Sequence, residues 1–378
     1  MSGNSSGGGE QWAWLGLLKW TLAHQDGTVP SSESPTMMSD EDKAFLEKVM
    51  AEGIIDEADR MKFILEEFSK AMEYYKSVSS INEEEEKGDE PPPDEDNLEE
   101  LLEELRDIVE QVDYARGFVN IKGCNYLLGA IGATSSASAP VIPNAIRNQC
   151  LGIIATLAQN NPPVQKELLE LGAVKILSDL FLLETSKTPL STKTKIMQAL
   201  SAIVRCYDLT EAVFEQLPQA PLLMVQGLSS DPAISNASLR TKTLFFLRAF
   251  LTSDNSTKAR AKTFQHAIAM LADTDSKYLN SNPDDEIPGY PDIVALQLRE
   301  SAIALLSQLL GRRLAVTLLL QRKQHLASLG VQRIKALRKA KGEDAELTRV
   351  ELQHWEAFLL QLARAEPEEE EVEVKLLM

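Results

Sequence analysis

Aromatic side chains are scarce in this chain, 6% of 378 residues, although hydrophobic residues reach 44%. The apolar content is therefore mostly leucine, alanine and isoleucine, which suit packed helices better than a β-sandwich. Cysteine is scarcer still: Cys124, Cys150 and Cys206, with no CxxC pair. An odd count argues against a disulfide framework. Each lies in an apolar stretch, so buried free thiols in a reducing compartment are expected. Four histidines occur, His24, His266, His325 and His354. A His-rich metal site is not expected, and each histidine is read as lying on a helix surface. No GxxxxGK(S/T), GxGxxG or HExxH sequence is present. The commonest phosphate, dinucleotide and zinc motifs are thus missing. The chain reads as a non-enzyme that needs no cofactor. Basic residues are also in deficit, 38 against 57 acidic, for a formal charge of -19. That excess repels phosphate backbones and anionic lipid, so neither nucleic acid nor membrane is an expected partner. No apolar run is long enough to span a bilayer.

The chain divides by composition. Residues 1–38 form a flexible arm: a Gly/Ser-rich start, a short apolar motif at 12–23 (WAWLGLLKWTLA) and a polar linker. The motif lacks a preceding basic region and is interrupted by Lys19, so it does not read as a secretory signal. Residues 39–80 form a helical pair. It opens with a capping box at Ser39–Asp42, followed by Phe45, Leu46, Val49 and Met50. Met61, Ile64, Leu65, Phe68, Met72 and Tyr75 mark the second helix. Residues 81–97 carry four consecutive glutamates and then three prolines, which reads as a solvated linker. Asn97, followed by Glu100, is expected to cap the next helix, whose apolar stripe runs from Leu98 to Val112.

Residues 98–365 repeat. Long helical segments open at Cys150 (CLGIIATLAQNN), Met197 (MQALSAIVRCYD), Thr243 (TLFFLRAFLTSD) and Ala302 (AIALLSQLLGRR). The first two steps are 47 and 46 residues, the spacing of armadillo or HEAT units. The last step is longer by an insertion at 273–292, which is either functional or disordered. Shorter segments opened by Gly or Pro follow the long ones, such as LGAVKILSDLF from Leu171. Gly-Ala-Val there is read as opening the third armadillo helix. Leu352, Trp355, Phe358, Leu359 and Leu362 face a final capping helix inward, and residues 366–378 form an acidic tail. The fold expected is all-α, a right-handed armadillo/HEAT-like superhelix of stacked repeats. Its function must lie in the surface it presents to a partner. Import-type armadillo grooves use inner ladders of Trp and Asn. Here Trp12, Trp14, Trp20 and Trp355 all lie outside the central repeats.

Several motifs in order resemble the armadillo nucleotide exchange factors of 70-kDa heat-shock chaperones. Leu17-Leu18-Lys19-Trp20-Thr21-Leu22-Ala23 is similar to that family's N-terminal LLxWS(I/L)A element. In QVDYARGFVNIKGCNYLL, Asp113 and Ala115 match the family's N-(L/M)-D-N-A, whereas Gln111 and Tyr114 depart from it. IRNQCLGIIATLAQNN and SLRTKTLFFLRAFL resemble two later elements. The resemblance implies a cytoplasmic, monomeric co-chaperone that grips the chaperone's ATPase domain and releases ADP. It implies partner contacts at Asp113, Ala115, Arg147, Arg240 and Lys242, with Ala115→Arg abolishing binding without unfolding. It also implies that Leu17, Leu18 and Trp20 belong to an arm competing for the client-binding site. A general armadillo adaptor is the alternative. The basic stretch 321–341 reads as a solvated helix face, or as a partner of the C-terminal glutamates.

Overall fold

The computed structural model describes residues 57–80, 91–132, 142–184, 188–273, 279, 292–339 and 341–366. The arm at 1–38, the helix begun at Ser39, residues 81–90, nearly all of the insertion and residues 367–378 lie outside the described residues. The chain divides into two units, 1–63 and 64–378; the account below concerns the second.

Helix α1, Glu57–Ser80, crosses that division. Ile64, Leu65, Phe68 and Tyr75 are buried along it, as their spacing predicts. The Tyr75 hydroxyl donates to Glu95 Oε1 at 3.3 Å, tying α1 to α2, Glu95–Ile108. Burial, and then the Glu95 charge, push the Tyr75 phenol up to about 12. The cap of α2 is Asp94, which accepts from Asn97 N at 3.2 Å, and not the expected Asn97. The correction has a simple cause. Glu95 and Asp96 already occupy the first turn, where acids suit the positive end of the helix dipole.

Three-helix units follow. The first is α3, Val112–Asn120, α4, Gly123–Gly132, and α5, Asn144–Ala158. The second is α6, Pro162–Glu170, α7, Ala173–Leu182, and α8, Leu190–Val204. The third is α9, Asp208–Gln216, α10, Ala220–Gly227, and α11, Ala237–Leu251. The fourth is α12, Lys258–Thr263, α13, Gln265–Ala272, and α14, Asp292–Gly311. The chain then forms α15, Val316–Leu320, α16, Lys323–Leu337, α17, Glu343–Leu347, and α18, Arg349–Arg364. The architecture is all-α and armadillo/HEAT-like, with no strand among the described residues. One reading is corrected: Gly-Ala-Val opens the middle helix α7 of a unit, not its third. Gly172, at φ 76°, makes the left-handed turn between α6 and α7.

Like helices stack on like. α2, α5, α8, α11, α14 and α18 form one column of neighbours; α4, α7, α10 and α13 form a second, and α3, α6 and α9 a third. Each unit buries its apolar stripe against the next. Phe214 of α9 meets Phe246 and Phe250 of α11 with ring centroids 5.1 and 5.3 Å apart, and Phe264 closes the cluster 5.2 Å from Phe250. Arg260 of α12 lies 4.4 Å over the Phe250 ring and donates to Glu211 and Glu215 at 2.8 and 2.7 Å.

The last helix seals the stack. Trp355, Phe358 and Leu362 of α18 are buried as expected, while Leu352 and Leu359 are half-buried. Gly330 lets α16 approach α18. A Cβ at that position would stand 2.8 Å from Leu359 Cδ2 and 2.9 Å from Trp355 Cε3.

Candidate partner-binding face

Helices α5, α8 and α11 are consecutive in the long-helix column and together contain no Asp or Glu. In a chain with 57 acidic residues this sets one surface apart. The three helices carry Arg147, Lys193, Lys195, Arg240, Lys242 and Arg248. Half of these cations point into the fold and half toward solvent.

The inward set occupies one register, the fourth residue of each helix: Arg147, Lys193 and Arg240. Arg147 is 3% exposed and donates to the Ile142 carbonyl at 3.3 Å and to Asn144 Oδ1 at 3.1 Å. Arg240 is 9% exposed and donates to the Ser235 carbonyl at 3.2 Å. In both cases the accepting carbonyl lies five residues upstream, in the turn that enters the helix. The Lys193 ammonium stands 5.4 Å from the Phe181 ring centroid. Burial holds the Arg147 and Lys193 side chains below their usual pKa range. Arg147 and Arg240 tie α5 and α11 to their entry turns, and Lys193 ties α8 to α7. The expectation of partner contacts at Arg147 and Arg240 is corrected accordingly: their exposure leaves little side chain for a partner to touch.

The outward set is Lys195, Lys242 and Arg248, joined by Arg205 just beyond α8; all four are half-buried. None is in an ion pair with a described residue. Phe245 is 54% exposed between them, with the Arg205 guanidinium 4.5 Å from its ring centroid. A cleft of about 220 Å³ opens beside this pair. Ala155, Ser201 and Ala202 contribute small side chains to it, and Gln159, Gln198, Arg205 and Lys242 supply polar groups. The arrangement offers cations, amides and one exposed ring, and suits an acidic surface carrying an apolar side chain. Along the same column α2 exposes Glu95, Asp96, Glu100, Glu103 and Asp107. The column therefore passes from acidic at α2 to basic at α8 and α11. Gln149 of α5 marks the boundary, donating to Glu103 Oε1 at 3.1 Å.

Of the residues expected to touch a partner, only Lys242 stands on this face. Asp113 lies on α3, in a different column, with a side chain 97% exposed and 3.9 Å from Arg116. Ala115 is 2% exposed. It packs α3 into the fold, so the expected contact at Ala115 is corrected. An arginine there must enter the core, and Ala115→Arg is expected to lower unfolding stability by about 2 kcal/mol or more. A urea titration followed by far-UV ellipticity checks this. Leu17, Leu18 and Trp20 lie outside the described residues. The sequence reading missed Arg205 and Phe245. A charge count helix by helix would have exposed the acid-free run that holds Phe245.

The cysteines divide differently from the expectation of three buried thiols. Cys124 and Cys150 are buried, and desolvation pushes both thiols up to about 12. Cys206 is exposed, in a left-handed turn after α8 at φ 60°. One equivalent of an aromatic disulfide reagent is expected to react rapidly at pH 8, and the other two thiols only on unfolding. Fast reaction of all three would contradict the buried positions. Among the described residues no group of His, Cys, Asp and Glu is placed to hold a metal ion. No described helix is long and apolar enough to cross a membrane.

No protein-family model matches the chain. Among curated proteins it is similar to the Hsp70 nucleotide exchange factor fes1 of Schizosaccharomyces pombe. The two are 24% identical over 163 residues, which is 43% of this chain and 52% of that protein. The chain thus spans about half the length of the curated relative it matches. Among solved structures it is similar to a designed armadillo repeat protein, 13% identical with a TM-score of 0.47, covering 77% of this chain and 99% of that one. It is likewise similar to a computationally designed armadillo protein for modular peptide recognition, 13% identical with a TM-score of 0.47, covering 77% and 98% of the two chains.

Proposed function

We propose that this protein is a co-chaperone that binds the ATPase domain of a 70-kDa heat-shock chaperone through the α5–α8–α11 face and promotes release of ADP and client. The observation that carries the reading is a coincidence of two independent features. The segment SLRTKTLFFLRAFL, which resembles the exchange-factor family in sequence, forms α11, the helix that places Lys242, Phe245 and Arg248 on the acid-free face. The similarity to fes1 supports the same reading.

The activity requires no chemistry in this chain. Exchange follows if the face binds the open arrangement of the chaperone's ATPase lobes more tightly than the closed, nucleotide-bound one. By reciprocity ADP must weaken the complex by the same factor. The protein acts in the cytoplasm as a monomer, and Lys195, Arg205, Lys242 and Arg248 meet acidic groups on the chaperone. A purified ATPase domain titrated with this protein is expected to bind several-fold more weakly in saturating ADP than without nucleotide. Equal affinity in both states would point instead to a general armadillo adaptor.

A further inference from the structure

We propose that the seam between α12 and α15 is a second docking groove, which takes a short acidic segment of a partner protein carrying an aliphatic side chain. The groove lies outside the α5–α8–α11 face and does not depend on the chaperone reading.

The groove exists because two helices are short. α3, α6 and α9 open their units with nine residues each. α12 has six and α15 has five. Phe264 ends α12 and leads the chain straight into α13, and Arg313, at φ 57°, sets the turn that precedes α15. Helices of fewer than two turns leave the seam between them partly uncovered. A cleft of about 320 Å³ opens there. A second, of about 630 Å³, lies where the end of α13 meets the start of α16. Gln321 lines both, so the two clefts adjoin at the end of α15.

Charge selects the occupant. Both walls come from stretches without acid: residues 255–272 and 301–342 contain no Asp or Glu, in a chain with 57 of them. Lys258 and Lys262, one turn apart on α12, line the first cleft, and Arg322, Lys323 and His325 line the second. Among the described residues, Asp273 is the acid that lines the groove, and Arg322 already holds it at 2.6 Å. Lys262 and Lys323 are in no ion pair with a described residue. The Nε2 of His325 is buried with no hydrogen-bond partner among the described residues. A carboxylate in the second cleft would supply one.

The apolar lining selects a peptide over other anions. Ala261, Ala315 and Val316 are buried where they line the first cleft, and Leu314 and Leu318 are half-buried beside them. That lining suits an aliphatic side chain, which neither a phosphate backbone nor a lipid headgroup presents. Gln265, Gln321 and Gln324 offer amides to peptide N–H and C=O groups. α15 is about 8 Å long, so roughly three extended residues run its length.

Fluorescence anisotropy of a labelled Glu-Glu-Leu-Glu-Glu peptide, titrated with the full chain, tests the groove. Saturable binding is expected, and it should weaken about tenfold when the leucine is replaced by glycine. The variant Lys262→Glu, Lys323→Glu should also bind about tenfold more weakly while keeping the wild-type urea midpoint. Lys242→Glu, Arg205→Glu should bind the peptide like wild type. A thymidine oligonucleotide of equal charge should be a poor competitor. No saturable binding would overturn the inference. So would equal affinity for the leucine and glycine peptides, a comparison that needs no variant. Loss of binding in the Lys242, Arg205 variant alone, or equal competition by the oligonucleotide, would overturn it as well.

Discussion

Replacing Glu351 with alanine is expected to lower the unfolding free energy by about 3–5 kcal/mol. Glu351 is fully buried on α18 and holds two arginines at once. Arg333 of α16 donates from Nε to Oε1 at 2.6 Å and from Nη2 to Oε2 at 3.0 Å. Arg299 of α14 donates from Nε to Oε2 at 3.3 Å. Removing the carboxylate takes from two largely buried guanidinium groups, 6% and 12% exposed, the anion that they share. The cost is mostly the desolvation of those charges, not the loss of the attraction itself. The cluster also reaches Glu300, whose carboxyl is pushed up by burial first and by Glu351 second. Glu356→Ala is the comparison. Its pair with Arg338 is equally short at 2.7 Å but 44% and 64% exposed, so its loss is expected to cost under about 1 kcal/mol. Urea unfolding of both variants checks the pair, and similar midpoints would refute the burial argument.

The second large effect concerns binding. Lys242→Glu is expected to weaken the complex with the chaperone ATPase domain by about tenfold, and Lys242→Glu with Arg205→Glu by about a hundredfold. Both side chains are half-exposed and neither is in an ion pair with a described residue, so unfolding stability should change by less than about 0.5 kcal/mol. The wild-type affinity should fall between about 50 and 500 mM salt, and that of the double variant much less. Calorimetric titration at the two salt concentrations reads both numbers. A double variant that binds like wild type would remove the acid-free face from the interface.

The long helices were legible because their apolar residues repeat over three to four turns. Ile146, Cys150, Ile153 and Leu157 of α5 show the pattern, and all are buried. The short helices were harder. α3, α6 and α9 have nine residues each, too few turns for periodicity to separate them from the middle helices that follow. That is why a three-helix unit reads as a pair. The site divided in the same way. Lys242 was legible only through the resemblance of SLRTKTLFFLRAFL to the exchange-factor family. Arg147 and Arg240 look identical to it in sequence, but they are committed to the carbonyls of Ile142 and Ser235. Those acceptors sit in turns whose path the local sequence does not reveal. Ala115 shows the reverse error, a small residue read as an interface contact where the fold uses it to bring α3 close to its neighbours.

The dissociation rate of fluorescent ADP from a 70-kDa chaperone ATPase domain tests the central claim most directly. Stopped-flow mixing with excess unlabelled nucleotide is expected to show a rate that rises with the concentration of this protein by tenfold or more. The Lys242→Glu, Arg205→Glu variant should require about a hundredfold more protein for the same acceleration. An ADP dissociation rate unchanged at saturating, folded protein would contradict the account.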